Sequence, residues 1–264
     1  MKLKLYQADA FTNKLFGGNP AAVCPLDKWL PGDVMQQIAN ENNLAETAFF
    51  VKEGNDYALR WFTPVYEVDL CGHATLATAF ILFEVLKYDK PEIKFHTRSG
   101  ILNVEKDGTF FKMDFPKDEV SKIETPPALI EAIKQTPLET WKGKTDYMAV
   151  LPSQKILEEL MPDFGMIKKF EGMRGVICTA KGQNVDFVSR CFYPAYGIDE
   201  DPATGSAHTT MTPYWAGKLN NKKLTAQQLS KRKGDLICAL VGDRVEISGQ
   251  AKLYLTGEIE IPGF

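Results

Sequence analysis

The chain has 264 residues, a length that suits one large domain or two domains of about 130 residues each. Its 31 Lys and Arg residues against 34 Asp and Glu residues leave a net charge of -3, and no basic run could neutralise a series of phosphates. Nucleic acid and anionic membranes are therefore not expected as partners. A hydrophobic share of 44% with 25% charged residues is ordinary for a globular protein, which excludes a disordered chain or a disulfide scaffold.

The start of the chain and the cysteines predict a cytoplasmic protein. The first residues alternate polar and apolar side chains and lack the apolar core of a signal peptide. The longest apolar stretch, residues 74–86, is too short to cross a bilayer. The five cysteines are an odd number, lie far apart and never form C-x-x-C, which is typical of reduced thiols rather than bridges or a zinc site.

In the first half of the chain, alternating segments predict strands and two periodic segments predict helices. Residues 31–42 carry apolar side chains at helical spacing, and residues 17–20 are predicted to form a loop. Residues 72–87 are apolar on nearly every side, so this helix is expected to be surrounded by other structure. The predicted strands are residues 2–11, 46–52, 57–63, 93–97, 101–106 and 109–115, the last two joined by a hairpin turn.

The middle of the chain predicts a domain boundary. Residues 116–147 are rich in Pro, Lys, Glu and Thr, with a short helical patch at 128–134, and are interpreted as a linker. We place the boundary near Pro116, which gives domains 1–116 and 117–264, with the last strands free to cross back. Beyond the linker the pattern predicts strands at 147–151, 176–179 and 185–192, helices at 155–161 and 204–219, and four strand-like stretches from Leu236 to the end.

A sequence repeat relates the two halves. Residues 60–71, RWFTPVYEVDLC, match residues 190–201, RCFYPAYGIDED, at an Arg, a Phe, a Pro, a Tyr and an Asp, with an offset of 130 residues. In each half this block leads from a strand through a Pro-containing loop into the start of a helix, and the registration sets Asp201 opposite Cys71. We therefore expect two homologous domains related by a pseudo-twofold axis.

The starts of the two buried helices are candidate anion sites. Residues 71–75 and 201–207 both place small residues at a first helical turn, where unpaired N–H groups and the helix dipole favour an anion. Asp201 followed by Pro202 also fits an ordinary N-cap with Pro at the first helical position. The residues expected to give backbone N–H groups to a small carboxylate are Gly72, His73, Gly205 and Ser206.

Four motifs follow one another along the chain: NPAAVC at 19–24, NLAETAF at 43–49, DLCGHAT at 69–75 and DEDPATGSA at 199–207. In order and spacing they resemble the phenazine-biosynthesis PhzF-like proteins, of the same fold superfamily as diaminopimelate epimerase and proline racemase. The resemblance spans almost the whole chain. It implies an α+β fold of two pseudo-symmetric domains, each a mostly antiparallel, barrel-like sheet around a central helix, with the active site between the domains.

The resemblance also implies roles for single residues. Glu46, which by itself could be an edge or loop carboxylate, matches the glutamate that removes and returns a proton on carbon, a task that needs a desolvated setting. His73 matches the active-site histidine, which assists proton transfer or polarises the substrate. Asp201 matches the family's aspartate and is assigned a catalytic role with Glu46 and His73, while Asn19 and Cys71 are assigned to substrate binding.

Cys71 leaves an alternative open. In the related epimerases and racemases a thiol precedes each central helix, and the pair act as base and acid. Cys71 matches the first thiol, but Asp201-Pro-Ala-Thr-Gly replaces the second, which disfavours a two-thiol racemase. Family members often have alanine at this position, so Cys71 is equally compatible with a small buried residue. His96 and His208 are expected to be structural.

No dinucleotide-binding, Walker A or zinc-ligand motif is present in the sequence. We therefore expect an isomerase that needs no cofactor and no metal, and that moves a proton on a small cyclic amino- or hydroxy-carboxylic acid. The alternatives are an amino-acid racemase or epimerase, and a non-catalytic carboxylate-binding protein. The sequence leaves open the substrate, the pathway and whether the chain forms a homodimer.

Overall fold

The computed structural model describes residues 1–261 and has the predicted α+β class, with many strands and few helices. The chain divides into two compact units. Unit 1 is Met1–Asp114 together with the described residues 248–261, and unit 2 is Phe115–Ile247. The sequence analysis placed the boundary near Pro116 and left open whether the last strands cross back; residues 248–261 belong to unit 1.

Unit 1 is a mostly antiparallel sheet with two helices. Helix α1 (Gly32–Asn42) packs its apolar residues Val34, Met35 and Ile38 into the core. Helix α2 (Gly72–Phe80) continues as one π-helical turn, Ile81–Val85. The strands are β1 (Lys2–Ala10), β2 (Asn19–Leu26), β3 (Glu46–Glu53), β4 (Asp56–Phe62), β5 (Glu67–Val68), β6 (Glu92–Thr97), β7 (Gly100–Asp107), β8 (Phe110–Pro116) and, from the end of the chain, β18 (Ala251–Glu260).

Helix α2 is the centre of unit 1. All its residues after Gly72 are buried, and it packs against β1, β2, β3 and β18. A helix without a polar face must be covered on all sides, because exposing apolar side chains costs about 25 cal/mol for each Å². The sheet therefore wraps around α2, as the all-apolar pattern of this segment predicted.

Unit 2 repeats this arrangement around a second helix. Its elements are β9 (Ser121–Ile123), α3 (Pro127–Ile133), β10 (Glu139–Lys142), β11 (Asp146–Val150), α4 (Gln154–Glu158), α5 (Phe164–Ile167), β12 (Gly175–Lys181), β13 (Phe187–Tyr193), β14 (Ile198–Asp201), α6 (Gly205–Leu219), β15 (Lys223–Gln228), β16 (Gly234–Val241) and β17 (Arg244–Gly249). Helix α6 packs against β15 and β16.

The strand pairings of the two units follow the same order. In unit 1, β18, β1 and β2 pair antiparallel, β2 and β3 parallel, β3 and β4 antiparallel, β4 and β6 parallel, and β6 and β7 antiparallel. In unit 2, β9, β10 and β11 pair antiparallel, β11 and β12 parallel, β12 and β13 antiparallel, β13 and β15 parallel, and β15 and β16 antiparallel. The repeated order of parallel and antiparallel pairs supports an internal duplication.

A matched ion pair marks the repeat in each unit. The guanidinium of Arg60 donates from Nε and Nη2 to the two carboxylate oxygens of Glu67, both at 2.7 Å. Arg190 makes the same two-pronged contact with Glu200, at 2.7 and 2.9 Å. Arg60 and Arg190 are 130 residues apart, whereas Glu67 and Glu200 are 133 apart. The second copy therefore carries three additional residues between the strand and the helix.

This shift corrects the registration made from the sequence. The N-cap of α2 is Cys71 and the N-cap of α6 is Thr204, also 133 residues apart. Thr204, not Asp201, is thus the counterpart of Cys71. Asp201 is the last residue of β14 and precedes the helix, so the expectation that it lies in the first turn or caps the helix is wrong. The extra residues extend β14 and move the aspartate out of register with the thiol.

Residues 116–147 are not a linker, contrary to the sequence interpretation. Leu129 and Ile133 of α3 are fully buried in the core of unit 2. Asp118 of this segment also binds to helix α6. Because Pro213 has no N–H, it cannot donate to the carbonyl of Thr209 one turn earlier in α6, and this carbonyl accepts a hydrogen bond from the N–H of Asp118, at 3.2 Å. The polar residues of this segment lie mainly on its exposed faces, while its few apolar residues pack into the core of unit 2.

Three strand predictions also need correction. The predicted loop at 17–20 overlaps β2, which begins at Asn19, and β15 was not predicted at all. Among the described residues, the segment from Leu236 on forms three strands, β16 to β18, rather than four. Strand β2 contains prolines and alanines of low strand propensity, and it is held by pairing on both sides, with β1 and with β3.

No helix within residues 1–261 combines the length and apolarity needed to span a membrane. The five cysteines are all buried and carry free thiols.

Candidate active site

Glu46 and His73 face each other in the interior of unit 1. Glu46 is the first residue of β3, and His73 lies in the first turn of α2, which packs against that strand. Glu46 Oε2 lies 3.1 Å from His73 Nε2, and the two side chains are only 12% and 7% exposed. The structure thus brings together the two residues that the sequence assigned to proton transfer.

The other ring nitrogen of His73 meets two further residues of the prediction. Asn19, the first residue of β2, is fully buried and places Nδ2 3.2 Å from His73 Nδ1. Cys71 places Sγ 3.5 Å from the same nitrogen. Nδ1 therefore has two polar neighbours while Nε2 lies beside the Glu46 carboxylate, and these contacts orient the imidazole. One donor atom from each of Glu46, Cys71 and His73 lies within 4.8 Å of the other two, a set that could hold a metal ion.

The surroundings shift the pKa values of the histidine and the thiol. Burial by itself would lower the pKa of His73, but its contacts with Cys71 and Glu46 outweigh this and raise that pKa well above its usual value. Burial, with a smaller contribution from the charge of Glu46, raises the pKa of Cys71 to about 11. At neutral pH the thiol is protonated, and a protonated imidazole is favoured beside the carboxylate.

The contact between Glu46 and His73 is close but poorly aligned for a hydrogen bond. Glu46 Oε2 and His73 Nε2 are both buried, and neither has a hydrogen-bond partner in the part of the chain that the structure describes. Buried polar atoms are costly to leave without a partner, and exceptions are common where a ligand completes the site. The two atoms are thus available to exchange a proton with a bound molecule.

Asp201 is held in a hydrogen-bonded cluster of unit 2. The hydroxyl of Thr204 donates to Asp201 Oδ2, and the side chain of Gln228 donates to the backbone carbonyl of Asp201 at 2.6 Å. Gln228 Oε1 also accepts from the backbone N–H of Thr204 at 2.7 Å. Asp201 is buried, so this cluster fixes its carboxylate immediately before α6.

A charge pair that the sequence analysis missed, between the buried Asp146 and the partly buried Arg174, contacts the first turn of α6. Arg174 donates from Nε to Asp146 Oδ1 at 3.0 Å and from Nη2 to the other carboxylate oxygen, while Nη1 donates to Ser206 Oγ at 3.1 Å. The guanidinium also lies 4.5 Å from the centre of the Tyr193 ring. Asp146 is the first residue of β11, and Arg174 directly precedes β12, the parallel neighbour of that strand. No motif in the sequence links the two residues.

The first turns of α2 and α6 keep the features of anion sites. Neither helix has a hydrogen bond from its N-cap side chain to the first-turn N–H groups, as far as residues 1–261 are concerned. Gly72 follows Cys71 at the start of α2, and Gly205 and Ser206 open α6. The N–H groups of an uncapped helix start can bind a carboxylate.

The remaining histidines have structural contacts. His208 is fully buried, its Nδ1 lies 2.8 Å from the carbonyl oxygen of Thr204, and burial lowers its pKa to about 4. His96 is exposed and lies 3.2 Å from Asp56. The structural role predicted for His208 agrees with this geometry.

Comparison with known proteins shows relatives that match this chain over almost its whole length. A family model described as phenazine biosynthesis-like protein matches residues 8–257. An uncharacterized isomerase of Pseudomonas aeruginosa is 49% identical over 261 residues, which cover 99% of this chain and 100% of that protein. The crystal structure of a PhzF-family phenazine biosynthesis protein from Enterococcus faecalis has a TM-score of 0.96 at 47% identity, covering 99% of this chain and 100% of that chain.

A more distant structure shows how far the fold extends. A hydroxyproline epimerase from Agrobacterium vitis is 11% identical and has a TM-score of 0.60, covering 98% of this chain and 92% of that chain. This likeness shows the fold alone. On the family match and the close relatives together, the chain belongs to the phenazine biosynthesis-like PhzF family and is an isomerase.

Proposed function

We propose that the protein moves a proton on a small cyclic amino- or hydroxy-carboxylic acid, with Glu46 as the group that removes and returns the proton. The observation that carries this proposal is the buried approach of Glu46 Oε2 to His73 Nε2 at 3.1 Å. A carboxylate removes a proton from carbon effectively when it is held in a site with little water, because there it is poorly solvated.

His73 supports this reaction by its charge. Its raised pKa favours a protonated imidazole beside Glu46. When a proton leaves the substrate carbon, negative charge develops on the substrate, and a fixed positive group nearby stabilises that charge. The contacts of His73 Nδ1 with Asn19 and Cys71 hold the ring in place, so Nε2 keeps its direction while the proton moves.

We assign the binding of the substrate's carboxylate to the backbone N–H groups at helix starts and to the side chains next to them. The candidates are the backbone N–H groups of Gly72 and His73 in unit 1, and those of Gly205 and Ser206 in unit 2. The oxygen of Ser206 accepts a hydrogen bond from Arg174, so its own hydroxyl hydrogen is left to point at an acceptor such as a carboxylate. Asp201, held by Thr204, remains a candidate acid or base.

Two observations favour this reaction over racemisation by two thiols. The pKa of Cys71 is raised to about 11, so at neutral pH this thiol is a poor base. The position of unit 2 that corresponds to Cys71 is Thr204, whose hydroxyl is a far weaker acid than a thiol. A single carboxylate that both removes and returns the proton needs no second thiol.

The test is to incubate candidate cyclic amino and hydroxy acids with the protein in deuterated water and follow them by NMR. Isomerisation moves a double bond and places deuterium at the new position, and Glu46→Gln should slow this change by about 10² to 10⁴. Exchange of the proton next to the carboxylate without a shift of double bonds would identify an epimerase instead. Binding with neither kind of exchange would identify a carboxylate-binding protein and overturn the proposal.

A further inference from the structure

The cluster that surrounds His73 combines three types of metal ligand. Glu46 offers a carboxylate oxygen, Cys71 a thiol sulfur and His73 a ring nitrogen, and these donor atoms lie within 4.8 Å of one another. No other group of three His, Cys, Asp or Glu residues meets this criterion among the residues that the structure describes. A sulfur, a nitrogen and an oxygen donor together are a ligand set that zinc accepts.

The distance between Cys71 Sγ and His73 Nδ1 already fits that between two ligands of a tetrahedral zinc ion. Bond lengths of about 2.3 Å to sulfur and about 2.05 Å to nitrogen place two tetrahedral ligands about 3.5 Å apart. Cys71 Sγ and His73 Nδ1 lie 3.5 Å apart. Glu46 Oε2 lies 3.1 Å from the other ring nitrogen, Nε2, so its side chain must rotate toward Nδ1 for a carboxylate oxygen to become the third ligand.

A second observation points to a ligand at this place. Glu46 Oε2 has no hydrogen-bond partner within residues 1–261, although the atom is buried. His73 Nε2 lies 3.1 Å from this oxygen but makes no hydrogen bond with it, and a bound cation would supply a strong partner, because a buried polar atom without one is costly. Of the five buried thiols, Cys71 is the one placed in such a ligand set.

We propose that Glu46, Cys71 and His73 form a binding site for a thiophilic divalent cation such as Zn²⁺, and that the bound cation inhibits the enzyme. On binding, the thiol of Cys71 loses its proton to solvent, its sulfur coordinates the ion, and water takes the fourth position. The ion then holds the carboxylate lone pair of Glu46 and one ring nitrogen of His73. Binding does not rest on the proposed proton shift, whereas inhibition does.

The binding experiment needs no substrate. The full-length protein is titrated with Co²⁺, whose bond to a thiolate gives a charge-transfer absorption band, and with Zn²⁺ by calorimetry. We expect one ion for each chain, a thiolate band, and displacement of Co²⁺ by Zn²⁺. Absence of the band, or binding of several weak ions without it, would overturn the proposal.

Variants locate the site. Cys71→Ser should remove the band. Glu46→Gln should keep the band but weaken metal binding on the order of 100-fold, because losing a ligand costs at least as much affinity as losing a residue that hydrogen-bonds to a ligand. The matched control is Cys238→Ser, which removes another buried thiol and should bind as the unchanged protein does. Circular dichroism checks that each variant is folded, and His73→Gln serves as a second test if Cys71→Ser is not. A band that persists in Cys71→Ser, or is lost in a folded Cys238→Ser, would refute the assignment.

Inhibition is measured separately, once an isomerised substrate is known. Zn²⁺ should abolish turnover at one equivalent, and a chelator should restore it. If the protein binds the ion as described but turns over no acid, the proposed reaction fails and the metal site stands. If turnover occurs and no ion binds, the metal site fails and the proposed reaction stands.

Discussion

Glu46 Oε2 and His73 Nε2 lie 3.1 Å apart in the interior of unit 1, although the first comes from a strand and the second from the central helix. The pair depends on the packing of α2 against β3 and on the two contacts that orient the imidazole ring. A carboxylate that can accept a proton thus lies next to a histidine that favours the protonated form, so the site holds both a base and an acid. The roles of these two residues are open to direct test.

Glu46→Gln should lower kcat by about 10² to 10⁴ while leaving substrate binding nearly unchanged. Glutamine keeps the shape and can still accept a hydrogen bond, but it cannot take up a proton. The measurement is kcat and KM for an acid identified by NMR. Cys71→Ala is the control and should cost much less. An inactive Cys71→Ala beside a fully active Glu46→Gln would favour thiol-based epimerase chemistry.

Asp201→Ala should destabilise the protein by about 1 to 3 kcal/mol, because the buried hydroxyl of Thr204 then loses its acceptor. Asp201→Asn keeps an acceptor oxygen and should be close to the unchanged protein in stability. Urea unfolding measures both. The catalytic role is read from Asp201→Asn alone: a fall in kcat with unchanged stability supports it, and full activity would leave Asp201 with a structural role only.

The protein should lose stability in acid through His208. Burial lowers the pKa of this histidine to about 4 in the folded protein, against about 6.5 in the unfolded chain. Between these values the unfolded chain binds a proton that the folded protein does not, so stability falls as the pH falls from about 6.5 to 4, by on the order of 3 kcal/mol. Urea unfolding across this range should show a shallower decline for His208→Gln. Equal slopes for the two proteins would contradict the prediction.

Arg174→Lys should raise KM more than it lowers kcat. A lysine can pair with Asp146 but cannot at the same time direct a second donor to Ser206, as the guanidinium does. The hydroxyl of Ser206 then loses its fixed direction toward a carboxylate. Ser206→Ala should show the same pattern, and the double variant should add little if both act through one contact. An additive loss, or an effect on kcat alone, would separate Arg174 from substrate binding.

The sequence by itself determined the class of fold and the duplication. The all-apolar segment from Gly72 on required a helix covered on every side, and alternation predicted most strands of the sheet that covers it. Arg60 and Arg190 marked the repeat, and their matched ion pairs are seen in the structure. These features are local in the chain, so neighbouring residues are enough to reveal them.

The tertiary structure decided the rest. The counterpart of Cys71 is Thr204, because three extra residues before α6 shift the second copy, and only strand pairing shows where they are accommodated. Strand β2 exists because β1 and β3 pair with both of its edges, and Arg174 reaches Ser206 from a distant segment. The shifted pKa values of His73 and Cys71 likewise depend on burial and on a carboxylate from another element. Burial and long-range contacts are properties of the folded chain, and sequence spacing carries no direct record of them.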